Sequence, residues 1–132
     1  AFLKVRFDET FHLGYEDTLF GMQLEQAGVE ILHIDNPVYH LVEENSEQFL
    51  MKIRRAVRNL DGHIEQMHSH VKLLRWYACV KRLGMAPLVA SLFRQIEKRL
   101  VSNLTSRKPS LKLFAFYKLG YLCNFLSQKK PN

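Results

Sequence analysis

Acidic residues nearly vanish from the last two thirds of this 132-residue chain. From Gln48 to Asn132 only Asp61, Glu65 and Glu97 occur, against seventeen lysines and arginines. Residues 1–47 reverse the balance, with ten acids against Lys4 and Arg6, so a formal charge of +6 conceals segments of −8 and +14. Two segments with different tasks are the natural inference. A basic segment suits phosphates, nucleic acid or an anionic membrane face, or it is simply a soluble surface. Cysteine is scarce too. Cys79 and Cys123 stand far apart with no CxxC spacing, which reads as two buried, reduced thiols in a reducing cytosol, with a disulfide between them as the alternative. No run of 18 apolar residues occurs, which argues against a transmembrane helix. An initiating Met and a secretory signal are also missing; Ala1-Phe2-Leu3-Lys4-Val5 reads like the middle of an element, so a longer polypeptide is expected.

What is there suffices for one folded domain: 47% of residues are hydrophobic and 24% charged, and only Gln128 to Asn132 read as disordered. Thr18 to Ala27 has helical spacing, with Phe20, Leu24 and Ala27 on one face, and Gly28 suits its end. Val29 to Ile34 is short and β-branched and predicts a strand; Asp35-Asn36-Pro37 is turn chemistry, and Val38 to Val42 predicts a second strand. Two short strands do not make a stable sheet, so partners are expected upstream. From Asn45 the pattern turns helical. Asn45 and Gln48 have capping-box spacing, and Phe49, Ile53, Ala56, Val57, Leu60, Ile64 and Met67 form a long apolar stripe weakened by Gly62. A helix over 71–83 buries Leu74, Tyr77, Cys79 or Val80, and Leu83. Another runs from about Pro87 to Leu104, and a last one from Pro109 to Leu126 presents Leu113, Phe114, Tyr117, Tyr121 and Phe125.

The stretch Gly14-Tyr15-Glu16-Asp17-Thr18 opens the first of these helices. Acids in a first turn meet the positive end of the helix dipole, worth roughly 0.3–1 kcal/mol each, and a helix start is one reading of the pair. The other is chemical: a carboxylate on a rigid element accepts a proton from a substrate hydroxyl. Gly14 and Gly21 flank the pair and permit close backbone approach.

These residues carry a resemblance. The segment Val5 to Leu41 resembles the C-terminal portion of the catalytic domain of family 2 glycosyltransferases, through Phe7-Asp8-Glu9, Gly14-Tyr15-Glu16-Asp17, Ala27-Gly28, the run Val29 to Ile34, and His40. The resemblance covers about residues 3–42. It implies an α/β fragment, mostly α: the acceptor-side C-terminal part of a GT-A, Rossmann-like domain over 1–44 with two short strands. A helical tail of three to four helices over 45–132 is similar, more weakly, to tails of bacterial members. It further implies inverting transfer from a nucleotide-diphosphate sugar to a hydroxyl of a saccharide or lipid-linked acceptor. Asp17 would be the general base, Glu16 would orient the acceptor or the helix start, and Gly14, Tyr15 and His12 would line the acceptor site. Tyr15 reads equally as ordinary packing. A divalent cation, Mn²⁺ or Mg²⁺, neutralises the leaving diphosphate in such enzymes; the upstream Asp-x-Asp that holds it is missing from these residues, and His40 is the candidate ligand here, or else a structural histidine. The resemblance implies a cytoplasmic enzyme, peripheral to the inner face of the membrane.

The remaining signals are plainer. His63, His68 and His70 lack a Cys or carboxylate completing a tetrahedral set and read as solvated. Lys112 and Lys118 flank Leu113, Phe114, Phe116 and Tyr117; that pattern predicts either a membrane-docking face or the core of a small bundle. A non-catalytic docking module is the alternative function. Nucleic acid is not expected as a partner: no helix-turn-helix, zinc-finger or RNP-like spacing occurs, and the first third is acidic.

Overall fold

The computed structural model describes residues 5, 14–39 and 44–129. Its elements are α1 (Glu16–Gln26), α2 (Ser46–Asn59), a 3₁₀ turn (Asp61–His63), the single-turn α3 (Ile64–Met67), α4 (Lys72–Arg82), α5 (Ala86–Leu104) and α6 (Leu111–Gln128). Where local chemistry decides, the elements begin and end as expected. The Asn45 side chain accepts from the Gln48 N–H at 2.9 Å and Gln48 returns the contact to the Asn45 N–H at 3.0 Å, a closed capping box. The stripe after it breaks at Gly62, within the 3₁₀ turn, rather than running through to Met67. Pro87 lies in the first turn of α5, and Ser110 caps α6 by accepting from the Leu113 N–H. Asn103, the head of a chance glycosylation triplet, uses its side-chain oxygen to accept from the Ser110 N–H at 3.1 Å and so ties the end of α5 to the start of α6.

The expected α/β architecture is corrected. Among the described residues there is no strand, and the fold is an all-helical bundle. Val29 to Tyr39 runs without helix or ladder, and its large side chains face water: Leu32 is 83% exposed and Tyr39 fully so. β-Branched residues confer a preference only; a strand also needs a neighbour whose N–H and C=O groups complete the ladder, and none of the described segments supplies one. His40 to Val42, the rest of the second expected strand, lies outside the described residues.

The core is built on the antiparallel pair α5 and α6, the most extensive contact among the described elements. Phe93 and Tyr117 are fully buried and meet edge to face at 5.6 Å between centroids. The approach is close because Gly120 faces Phe93: a Cβ at Gly120 would lie 2.6 to 2.9 Å from three Phe93 atoms, Cβ among them. Leu74 of α4 and Met67 of α3 join the same cluster, as do Val57 and Leu60 from the end of α2. Polar contacts fasten α2 to this pair. Arg54 donates through Nε to the Tyr117 hydroxyl at 2.5 Å and through its guanidinium to Glu97 of α5 at 2.7 Å, while Arg58 donates to the Tyr121 hydroxyl at 2.6 Å. The aromatic stripe of α6 therefore divides. Tyr117 and Tyr121 face the core, whereas Leu113 stays partly exposed. Leu83, expected inside, is exposed at the end of α4, and so is Cys79. Both cysteines are free thiols.

Two outcomes follow from this packing. Gly120→Ala gains about 1 kcal/mol of helix propensity but forces Phe93 or the α5 backbone to move, at about 1–3 kcal/mol. Urea unfolding should show a net loss of about 1 kcal/mol; a gain would contradict the close α5–α6 contact. Burial pushes the Cys123 thiol up to about 11 from an ordinary 9.0. A thiol reagent at mildly alkaline pH should therefore label only Cys79 in the native chain and both cysteines in denaturant. Because the unfolded chain releases the Cys123 proton first, this thiol favours the folded state fully below pH 9.0 and loses that contribution as pH rises to about 11.

Candidate active site

The Gly14 to Thr18 block stands against α2. Gly14 adopts φ 84° and rests on Ala56, so closely that a Cβ at this position would lie 2.3 Å from the Ala56 Cβ. Tyr15 follows at φ 70° and is the one non-glycine residue with positive φ among those described. The left-handed region costs a residue with a Cβ roughly 1–2 kcal/mol. Such strain persists only where surroundings over-determine it, and it clusters at functional sites. Here the surroundings are on the page: the Tyr15 ring packs against the core cluster, and its C=O accepts from the Leu19 N–H at 3.0 Å, the first helical bond of α1. Burial pushes the Tyr15 phenol up from its ordinary value. That favours the packing reading of this ring, at least for the part that touches the core.

The two acids do not cap α1. Tyr15 holds the N-cap position, and among the described residues no side-chain cap hydrogen bond is made at the first turn. Asp17 is exposed and makes no hydrogen bond or ion pair among the described residues. Glu16 is half-buried, and its Oε2 is buried without a hydrogen-bond partner among those residues. Gln23, two turns along the same face, leaves its Oε1 in the same state. Buried acceptors are rarely left unpaired, since each costs about 1–3 kcal/mol. The face of α1 that carries them thus offers two unmet acceptors, while the opening turn offers a free carboxylate. Farther along, Glu25 meets His70 at 3.3 Å, a second tie between α1 and the helical body.

The sequence candidates thus fall into two groups. Gly14, Tyr15, Glu16 and Asp17 form one continuous block fixed against α2. His12, His40 and the Phe7-Asp8-Glu9 stretch lie outside the described residues. Among the described residues no three His, Cys, Asp or Glu side chains converge to hold a cation, so no chemical step is assigned to one. Gly21 departs from expectation: among the described residues a Cβ there would meet nothing within 4 Å, so no close approach by them requires it. Ala56 is the residue the sequence left unmarked. It reads as one more member of the α2 stripe, and only its small size hints that another backbone lies on it. No family model matches the chain, and no curated protein or solved structure matches it.

Gly14→Ala should destabilise the chain by about 2 kcal/mol, the sum of a positive-φ penalty and overpacking against Ala56. Gly14→Ala combined with Ala56→Gly should lose less than the sum of the two single variants in chemical denaturation, because Ala56→Gly alone costs about 1 kcal/mol of helix propensity but removes the overpacking in the pair. Gly21→Ala should instead stabilise by about 1 kcal/mol through helix propensity. Equal losses at the two glycines would refute this account of the block.

Proposed function

We propose that this chain supplies the acceptor-activating carboxylate of an inverting glycosyltransferase related to family 2. In this reading a nucleotide-diphosphate sugar is held by a nucleotide-binding portion joined upstream. Asp17 takes the proton from the acceptor hydroxyl. The oxygen so freed bonds to the anomeric carbon from the face opposite the diphosphate, the anomeric C–O bond breaks, and its electron pair leaves with the diphosphate. Glu16 orients the acceptor, a saccharide or a lipid-linked sugar.

One observation carries the proposal beyond the resemblance: Asp17 is an exposed carboxylate with no side-chain partner among the described residues, on a backbone that Gly14 and Tyr15 hold in a strained form. A general base must be free to receive its proton and held within about 2.6–3.2 Å of it. The unpartnered Oε2 of Glu16 adds support, since a sugar hydroxyl donating to it would satisfy the atom. Tyr15 contributes by fixing the turn.

The test is Asp17→Asn in the enzyme that binds the nucleotide sugar, read as release of nucleoside diphosphate in the presence of acceptor. Transfer should fall by about 10²–10⁴-fold in kcat with little change in KM. Helical circular dichroism should persist, because the Asp17 side chain makes no hydrogen bond or ion pair among the described residues and its favourable placement in the first turn is worth only about 0.3–1 kcal/mol. Turnover within threefold of the parent would end the proposal.

A further inference from the structure

Between α4 and α6 lies an open groove of about 310 Å³ whose floor is apolar, formed by Leu73, Ala115 and Leu119. Trp76 closes one side and is 54% exposed; Leu111 at the head of α6 is 82% exposed. Three lysines edge the groove, Lys72 from α4 and Lys112 and Lys118 from α6, and among the described residues no acid lines it. None of the three makes an ion pair among the described residues. The Lys118 ammonium stands over the Phe114 ring at 4.7 Å, and partial burial lowers its pKa, so it would gain from an anion beside it. An aliphatic floor beneath unpaired positive charge is complementary to an anionic amphiphile. Trp is the side chain that favours the boundary between hydrocarbon and headgroup. Nucleic acid fits less well, because among the described residues one indole is the sole aromatic ring lining the groove and stacked bases need a succession of them.

We infer that the α4–α6 groove docks the chain on a membrane containing anionic phospholipid, with acyl carbon against Leu73, Ala115 and Leu119 and lipid phosphate on Lys72, Lys112 and Lys118. This places the membrane-facing side elsewhere than on the aromatic stripe of α6, whose Tyr117 and Tyr121 are spent on the core. No helix among the described residues is long and apolar enough to cross a membrane, so docking here is peripheral. The inference stands on the groove alone and does not depend on the role of Asp17. Asp17→Asn should leave it untouched, so either proposal can fail without the other.

Trp76 is the single tryptophan of the chain and reports on the groove directly. Its emission should shift to the blue when vesicles of mixed phosphatidylcholine and phosphatidylglycerol are added. Pure phosphatidylcholine vesicles and soluble glycerol phosphate should leave it unchanged. Lys72→Gln with Lys112→Gln should weaken vesicle binding roughly 25-fold, at about fivefold per lysine near an anionic surface. The matched pair Lys98→Gln with Arg99→Gln, on exposed α5 away from the groove, should cost far less. Should the lysine variants lose their helical signal, quenching of the parent's Trp76 by acyl-brominated lipid supplies the reading, and strong quenching is expected. The proposal is overturned by a constant Trp76 emission with mixed vesicles, by equal losses in the two charge pairs, or by absent quenching. A comparable shift caused by a single-stranded oligonucleotide or an acidic peptide would also overturn it, in favour of that partner.

Discussion

The account of this chain depends on one contact, the seating of Gly14 on Ala56. With hydrogen where other residues carry Cβ, the chain comes close enough to α2 that any side chain would collide. That seating fixes where α1 starts. Tyr15 then turns through the left-handed region, its ring goes to the core, and Glu16 and Asp17 emerge in the first turn with defined positions. Exposed acids at a frayed helix end would sample many positions. Here the backbone beneath them is held on both sides, by a packed glycine before and by the Leu19 to Tyr15 hydrogen bond after.

Ala56 is a useful anchor only if α2 itself is immobile, and the helical body supplies that. Arg54 and Arg58 lie on α2 on either side of Ala56, and both reach hydroxyls of α6. Arg54 also pairs with Glu97, so one guanidinium joins α2, α5 and α6. These contacts are part-exposed, and solvent screening keeps the ion pair itself worth only about 1 kcal/mol or less. The greater share of the attachment comes from apolar burial of Leu50, Val57 and Leu60 beside them. The polar contacts then choose the register in which that burial occurs. Support thus runs from the Phe93–Gly120 crossing through the α6 tyrosines and the α2 arginines to Ala56, and from there to the block that carries Asp17.

Features with purely local causes were legible in the sequence. The Asn45–Gln48 box, Pro87 in the first turn of α5 and a start of α6 within two residues of the expected Pro109 each rest on residues within a few positions of one another. Val29 to Ile34 was misread because β preference is a statement about side chains, whereas a ladder is a statement about neighbours, and no described segment supplies one. The double-sided character of α6 was missed for a related reason. Its aromatics form one stripe, while Gly120, Leu122 and Cys123 are buried as well, Gly120 against Phe93 of α5, in contacts that no spacing within α6 reveals. Within the candidate site the residues were legible and their arrangement was not. Gly14 advertised a close approach, but its partner lay far along the chain at Ala56, and Gly21 advertised one that does not occur. The buried, unpaired oxygens of Glu16 and Gln23 emerge only once the face of α1 is known.

The most direct check of the central claim is proton NMR of the native chain. Cross-relaxation between the Gly14 α-protons and the Ala56 methyl should be among the strongest long-range effects observed, and the Tyr15 amide coupling should report positive φ. Absence of that cross-peak, with averaged shifts from Gly14 through Asp17, would mean the first turn is unanchored, and the proposed placement of the carboxylate would fall with it.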